Sequence, residues 1–339
     1  MKAFDYVKSL KAGWNLGNTL DASPDEDNAD LSMQEIAWGN PFTSEEMIKK
    51  VKDAGFDIFR VPVTWCHQVD DDFNINKTWL NRVNEVVDFG IKNGMNVILN
   101  LHHENWHFPS NENYPKASKI IKKLWSQISE HFKDYSDKLI FESMNEPRKK
   151  GTDVEWNGGD EEGRIVVMKL NEDFVNIVRS SGGNNNTRKL MLPNYAASCE
   201  EIAISDFKMP DDENLIVSLH GYVPYEFALS DEHDIAVFTD EHKKAIDNLF
   251  TRINKYFISK GIPVIMGECG ARKHGDDNES ERAKWARYYT SKAREYNIPC
   301  VWWDNGIFVG DNKTEIFGLL NREKAEWAYP EIVAAFLGK

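Results

Sequence analysis

Eight short apolar runs, separated by longer amphipathic segments, constrain this sequence more than any other feature. They are Gly13–Asn18, Phe56–Val63, Asn96–His103, Leu139–Pro147, Arg188–Ala196, Leu215–Tyr222, Pro263–Gly270 and Cys300–Gly306. Most are near-continuously apolar, the pattern of strands buried on both faces of a parallel sheet. Parallel neighbours need crossover connections, usually helices. The intervening segments supply them. Thr43 or Ser44 caps a helix through Ala54, with Glu45 and Glu46 in its first turn and Gly55 as its stop. Helices are also predicted over Thr78–Asn93, Lys116–Tyr135, Glu162–Ser181, Asp240–Lys260, Ser280–Tyr296 and Glu326–Phe336, with a short one near Cys199–Asp206.

Eight such units in 339 residues predict an α/β fold, a (β/α)8 barrel spanning residues 1–339 as one catalytic domain. A doubly wound sheet would want a glycine fingerprint after its first strand, which Gly13-Trp14-Asn15-Leu16-Gly17-Asn18 lacks. Net charge is −14, from 55 acidic and 41 basic residues. That balance repels phosphate backbones, disfavours nucleic acid and suits a neutral substrate. No apolar stretch reaches membrane-spanning length, so no membrane partner is expected. Met1–Tyr6 carries no apolar leader, which fits either a cytoplasmic chain or one whose leader has been removed. Cys66, Cys199, Cys269 and Cys300 form no CxxC or metal spacing, so neither disulfides nor a metal are required.

The C-terminal ends of barrel strands carry the reactive groups. Here those ends offer Asn18, Arg60, His102 and His103, Asn145 and Glu146, Asn194, His220 and Tyr222, Glu268, and Trp302 and Trp303. Glu146 and Glu268 each end an apolar run, and a buried acid is costly without a partner or a task. Two such acids fit glycosidic hydrolysis, in which one protonates the leaving oxygen and the other attacks or activates water. Their acidities must differ; mutual repulsion is expected to raise one, while Arg60 keeps the other ionised. Asn145 suits a sugar 2-hydroxyl, and Trp65, Trp106, Trp302 and Trp303 offer flat faces for pyranose rings.

Eight strings in order, one per strand, resemble glycoside hydrolase family 5, most closely its broad β-glucanase subfamily 4. They are GWNLGNTLDA (Gly13–Ala22), FRVPVTW (Phe59–Trp65), LHHE (Leu101–Glu104), SMNEPR (Ser143–Arg148), LPNYAAS (Leu192–Ser198), HGYVPY (His220–Tyr225), GECG (Gly267–Gly270) and VWWDNG (Val301–Gly306). The resemblance implies a retaining endo-β-1,4-glucanase needing no cofactor or metal. Glu146 takes the acid/base role and Glu268 the nucleophile's. Arg60 and Tyr222 position the nucleophile, Asn145 touches the 2-hydroxyl, His102 and His220 line the central sugar site, and Trp303 forms its floor. Asn18, His103, Trp106, Asn194, Tyr225, Trp302 and Asn305 match as substrate contacts, with Trp302 on the opposite side of its strand. The family's aromatic after the nucleophile is here Cys269, expected to point away from the cleft. The resemblance further implies an extracellular, monomeric enzyme acting on β-glucan. The mouth segments Ser23–Asn40, Glu104–Pro115, Arg148–Gly163 and Tyr225–Phe238 would select among cellulose-like, mixed-linkage, xyloglucan or mannan chains. A non-catalytic glycan-binding barrel is the alternative outside the enzyme class.

His103-Glu104-Asn105-Trp106-His107 also satisfies the zinc pattern H-E-x-x-H, which requires a helix. It follows an apolar strand and precedes Pro109 and Pro115, so no helix is predicted. His102 and His103, as strand neighbours, are expected to face opposite ways.

Overall fold

The computed structural model describes residues 1–23, 30–231, 235–275, 278–310 and 315–339. Parts of two mouth segments, 24–29 and 232–234, therefore lie outside the described residues. Eight parallel strands close a barrel in chain order. They are β1 (Ala12–Leu16), β2 (Ile58–Val61), β3 (Asn96–Asn100), β4 (Leu139–Glu142), β5 (Leu190–Pro193), β6 (Leu215–His220), β7 (Val264–Cys269) and β8 (Cys300–Asp304). Each is shorter than its predicted run. The predicted runs thus extend into the loops above the barrel.

Helices interleave the strands. Ser44 Oγ accepts from the Met47 N–H to cap Glu45–Ala54, and Gly55 closes that helix at φ +119°, a left-handed conformation that favours glycine. One expectation needs correction. Glu326 and Trp327 pair with Asn321 and Leu320 in a two-stranded ribbon, and the last helix runs Pro330–Leu337. Proline suits a first helical position and drives the residue before it out of helical conformation. A helix at Ala3–Ser9, too short to give a periodic signal, was not foreseen.

Strand side chains alternate between the barrel interior and the helix layer. Outward residues such as Trp14, Phe59, Leu99, Phe141, Val217, Met266 and Trp302 pack in the main core. Inward residues stack in layers. Ile58, Ile98, Ile140, Met191, Ile216, Ile265 and Val301 form a separate apolar cluster with Ala3, Tyr6, Val7 and Leu10, so the N-terminal helix plugs the bottom of the barrel. Two residues further along these strands the interior turns polar, with Asn15, Arg60, Asn100, Glu142 and Ser218, all fully buried. The catalytic candidates stand on this polar layer.

Candidate active site

Arg60 organises the polar layer. Its Nε donates to Glu142 Oε2 at 2.8 Å, its Nη1 to Asn15 Oδ1 at 2.9 Å and Glu268 Oε1 at 2.8 Å, and its Nη2 to Asn145 Oδ1 at 2.8 Å. A buried guanidinium needs opposite charge and filled donors, and two carboxylates with two amides provide both. Strand alternation places Arg60 and Glu142 inward. Glu268 reaches the same centre through an irregularity in β7, whose register against β8 shifts between Met266 and Cys269. Such bulges re-aim side chains. Cys269 consequently packs outward in the main core, as expected.

Glu268 Oε2 accepts from the Tyr222 hydroxyl at 2.9 Å. Glu146, four residues past the end of β4, meets His220 Nδ1 through Oε1 at 2.7 Å. One ligand atom each of Glu146, His220 and Glu268 lies within 4.8 Å of the others, so the two carboxylates stand close together at the top of the barrel. Asn145 Oδ1 accepts from Arg60, which leaves Nδ2 as the group available to a sugar hydroxyl.

The electrostatics differ from expectation. Burial alone would raise the Glu146 carboxyl, but the His220 hydrogen bond and the His220 and Arg148 charges outweigh it, and Glu146 falls below its ordinary value. Burial would lower His220; the Glu268 charge and the Glu146 hydrogen bond outweigh that and raise it. The Glu146–His220 pair therefore shares one proton, and mutual repulsion with Glu268 is not what sets Glu146. Burial, then the Glu268 charge, pushes the Tyr222 phenol well up, so it stays a donor.

Trp303 is half-buried, its ring 5.7 Å from His102 and within 2° of parallel. Gly17 lies against it, where a Cβ would stand 2.7 Å from the indole and 2.9 Å from the Asp304 carbonyl. Asn100 fixes the His102 tautomer. Its Oδ1 accepts from the Val63 N–H, which turns Nδ2 toward His102 Nδ1 at 3.1 Å and leaves the hydrogen on Nε2. Burial lowers His102 well below its ordinary value and His103 to about 4, so both are neutral near pH 7.

His102 and His103 do not face opposite ways. β3 ends at Asn100, strand alternation stops there, and both Nε2 atoms sit 4.0 and 3.9 Å from Asp21 Oδ2. This trio has the residue types of a metal site, but His102 Nε2 carries a hydrogen and both Asp21 oxygens accept backbone N–H groups. Residues 103–107 contain no helix, and no described cluster joins His103 to His107. The residues present do not fit a zinc centre.

The remaining candidates divide. His103 is partly open beside the Trp38 ring, and Tyr225 is exposed at the start of a short helix. Asn18 is half-buried at φ 55°, with its backbone tied to Asp21 and Asn40. Trp106 is buried, its Nε1 donating to Glu104 Oε2 at 2.6 Å. Asn194 is buried and donates to the Ser198 carbonyl. Two are corrected. Trp302 is fully buried among Trp285 and Phe336 with its Nε1 on the Phe317 carbonyl, because alternation turns it to the helix layer. Asn305 uses both ends of its amide on the backbone of its own loop, at Glu315 and Ile307, and braces that loop.

Sequence reasoning missed Glu142, whose oxygens take Arg60, Asn100 and Ser218. It also missed Arg322, which ties the Gly17 carbonyl and Thr19 to Asp304 beneath Trp303. A charge inside an apolar strand, two residues beyond Ile140, was the available signal for Glu142.

A barrel with two close carboxylates over an aromatic floor is the arrangement of a glycoside-cleaving hydrolase. Comparison with known proteins agrees. A model of the cellulase family, glycosyl hydrolase family 5, matches residues 22–309. Endoglucanase B of Neocallimastix patriciarum is 46% identical over 336 residues, covering 97% of this chain and 70% of that protein. A solved broad-specificity endoglucanase of subfamily 4 from Clostridium longisporum is 42% identical with TM-score 0.95, covering 100% of this chain and 98% of the other. One from Ruminococcus champanellensis with bound cellotriose has the same identity and TM-score, covering 99% and 98%. This chain belongs to glycosyl hydrolase family 5. Its activity is that of an endo-β-1,4-glucanase.

Proposed function

We propose that residues 1–339 act as one catalytic barrel domain that cleaves internal β-1,4-glucosidic bonds with retention of configuration. The observation carrying this reading is the approach of Glu146 and Glu268, with carboxylate oxygens within 4.8 Å. Retaining enzymes hold their carboxyl groups about 5–5.5 Å apart, whereas inverting ones leave about 6.5–9.5 Å for a water. In the first step Glu268 attacks the anomeric carbon. The glycosidic C–O bond breaks as Glu146 gives its proton to the leaving oxygen, and a glycosyl ester forms. In the second step water attacks that carbon, its proton goes to Glu146, and the ester C–O bond breaks.

Each supporting group has a task in this scheme. Arg60 and Tyr222 hold the Glu268 oxygens and keep the nucleophile aimed. His220 stores the proton that Glu146 delivers, across a 2.7 Å hydrogen bond. Once that proton has left with the departing sugar and esterification has removed the Glu268 charge, Glu146 is an ionised carboxylate ready to act as base. Asn145 meets the 2-hydroxyl, and Trp303 floors the site. No step calls for a metal or cofactor.

The substrate is a neutral β-glucan, a reading supported by the cellotriose bound to the Ruminococcus champanellensis enzyme and by the acidic surface here. We place the enzyme outside the cell as a monomer; no helix among the described residues is long and apolar enough to cross a membrane. Glu146→Gln and Glu268→Gln should each cost roughly 10³-fold or more in rate with an unchanged fold. NMR of fresh product should show the β-anomer first. Initial α-product would replace retention with inversion, and near-normal turnover in either variant would end the assignment. Xyloglucan, mixed-linkage glucan, carboxymethylcellulose, xylan and glucomannan assayed side by side would rank the substrates.

A further inference from the structure

We propose that the N-terminal turn of the helix Glu279–Glu295 holds a monatomic inorganic anion of the chloride class, bound by Arg282 and Asn278. Arg282 is fully buried. Its Nε donates to the Ala271 carbonyl at 2.9 Å, and its guanidinium lies 5.0 Å from the Tyr329 ring centroid. Those contacts use one N–H and one face. Nη1 and Nη2 are buried and have no hydrogen-bond partner among the described residues. Other buried arginines are provided for differently. Arg60 meets two carboxylates, and Arg188 fills all three nitrogens with carbonyls and the Asn185 amide oxygen. Burial draws Arg282 down to about 10, against the charges of Glu279 and Asp304, so it is still a cation near neutral pH. The Asp304 carboxylate is spent elsewhere, Oδ1 on Gly306 and Arg322, and Oδ2 on Trp14, Leu319 and Leu320. A buried guanidinium is seldom left without a counter-charge, because the unpaired ion is costly.

Asn278 supplies the second, independent sign. It stands just before the helix and is 1% exposed, yet its side chain makes no capping bond. Both its Oδ1 and its Nδ2 are buried without a partner among the described residues. Nδ2 is the end that an anion takes. The Arg282 N–H donates to the Asn278 carbonyl at 2.9 Å, so the two residues lie one turn apart on the same side. Helical side chains lean toward the N-terminus, which carries the guanidinium back over Asn278. Two Nη groups and an amide donor thus gather at the positive end of a 17-residue helix, where backbone N–H groups are also unspent. Of the first-turn acids, Glu281 is turned to Lys284 and the Phe238 N–H. The full burial of Arg282 suits a single small ion better than a sulfate or a sugar acid.

The test is urea unfolding of the intact chain in sodium chloride and in sodium gluconate at equal ionic strength, gluconate being too large for a closed site. At chloride tenfold above its dissociation constant, the unfolding equilibrium constant should be about tenfold smaller than in gluconate, and the effect should saturate. Bromide should act as chloride does, and crystals grown in bromide should show its anomalous signal against Arg282 Nη1 and Nη2. Arg282→Met fills similar space without the charge and should abolish the chloride dependence. Asn278→Ala should keep the dependence but shift it to higher chloride, which decides the matter even if Arg282→Met does not fold. Identical unfolding in chloride and gluconate would overturn the proposal, giving the site to water or to a carboxylate of the chain. So would a chloride effect that survives in Arg282→Met, or a bromide crystal with no signal at Arg282.

Discussion

Removing Glu142 tests the electrostatic frame of the site. This carboxylate is fully buried and accepts three side-chain hydrogen bonds, from Arg60 at 2.8 Å, Asn100 at 3.1 Å and Ser218 at 2.5 Å. Glu142→Ala strands a buried guanidinium nitrogen and an amide, and leaves a small cavity. Breaking a buried charge pair by deleting one partner costs about 3–5 kcal/mol, a large share of a total stability of roughly 5–15 kcal/mol. Glu142→Gln is milder. Its carbonyl can still face Arg60 and Asn100 while its amide donates to Ser218 Oγ, so every bond survives and only the charge is lost. Exchanging charge-assisted bonds for neutral ones costs about 1–2 kcal/mol. Arg60 would then answer to Glu268 alone and hold that carboxylate more tightly, which should lower kcat more than it alters KM. Urea denaturation followed by tryptophan fluorescence measures the first effect, and steady-state rates on mixed-linkage glucan the second. If Glu142→Ala were as stable as wild type, or no worse than Glu142→Gln, the view of Glu142 as the obligatory counter-charge of Arg60 would be wrong.

Other expectations follow from the same geometry. His220 is raised above its ordinary 6.5, so the Glu146–His220 pair keeps its proton below that raised value and loses it as pH climbs through it. The alkaline limb of kcat should therefore lie above pH 6.5, and His220→Gln should move it down, since a buried Glu146 would then hold the proton by itself; an unmoved limb would refute the shared proton. Gly17→Ala should depress kcat without unfolding the chain, because the new methyl would crowd Trp303 and the Asp304 carbonyl; normal turnover would show that the floor yields easily. Trp302→Phe should weaken thermal stability through the lost bond to Phe317 while KM stays put. Treatment with EDTA should leave the rate unchanged, since His102 presents N–H rather than a lone pair toward Asp21; a loss restored by zinc would contradict that tautomer.

The parts of the molecule legible in the sequence are those set by local chemistry. Ser44 and Gly55 cap a helix wherever it lies, and a continuous apolar run reads as a buried parallel strand in any α/β fold. Glu146, Glu268, Asn145, His220 and Tyr222 could be named as a set because each stands near the end of a run, with Arg60 as the cation a strand offered them, and the barrel brings all six into one network of hydrogen bonds and ion pairs. What stayed hidden depends on closure. Glu142 sits inside its run, and its purpose appears only when β3 and β4 align Asn100 with it. The sign of the Glu146 shift depends on a histidine 74 positions away, which no spacing encodes. His102 and His103 misled because the strand ends at Asn100, before either histidine, although the predicted run continues to His103, and alternation has no force in a loop.

The stopper formed by Ala3, Tyr6, Val7 and Leu10 has an effect out of proportion to its seven-residue helix. It turns the barrel into a vessel open at one end. Among the described residues an apolar layer separates the Arg60 cluster from the bottom of the barrel, so a polysaccharide lying across the mouth is itself the lid that dries the charges below it. Occupancy by a long chain, more than by a short fragment, should then sharpen the electrostatic contrast on which bond cleavage depends.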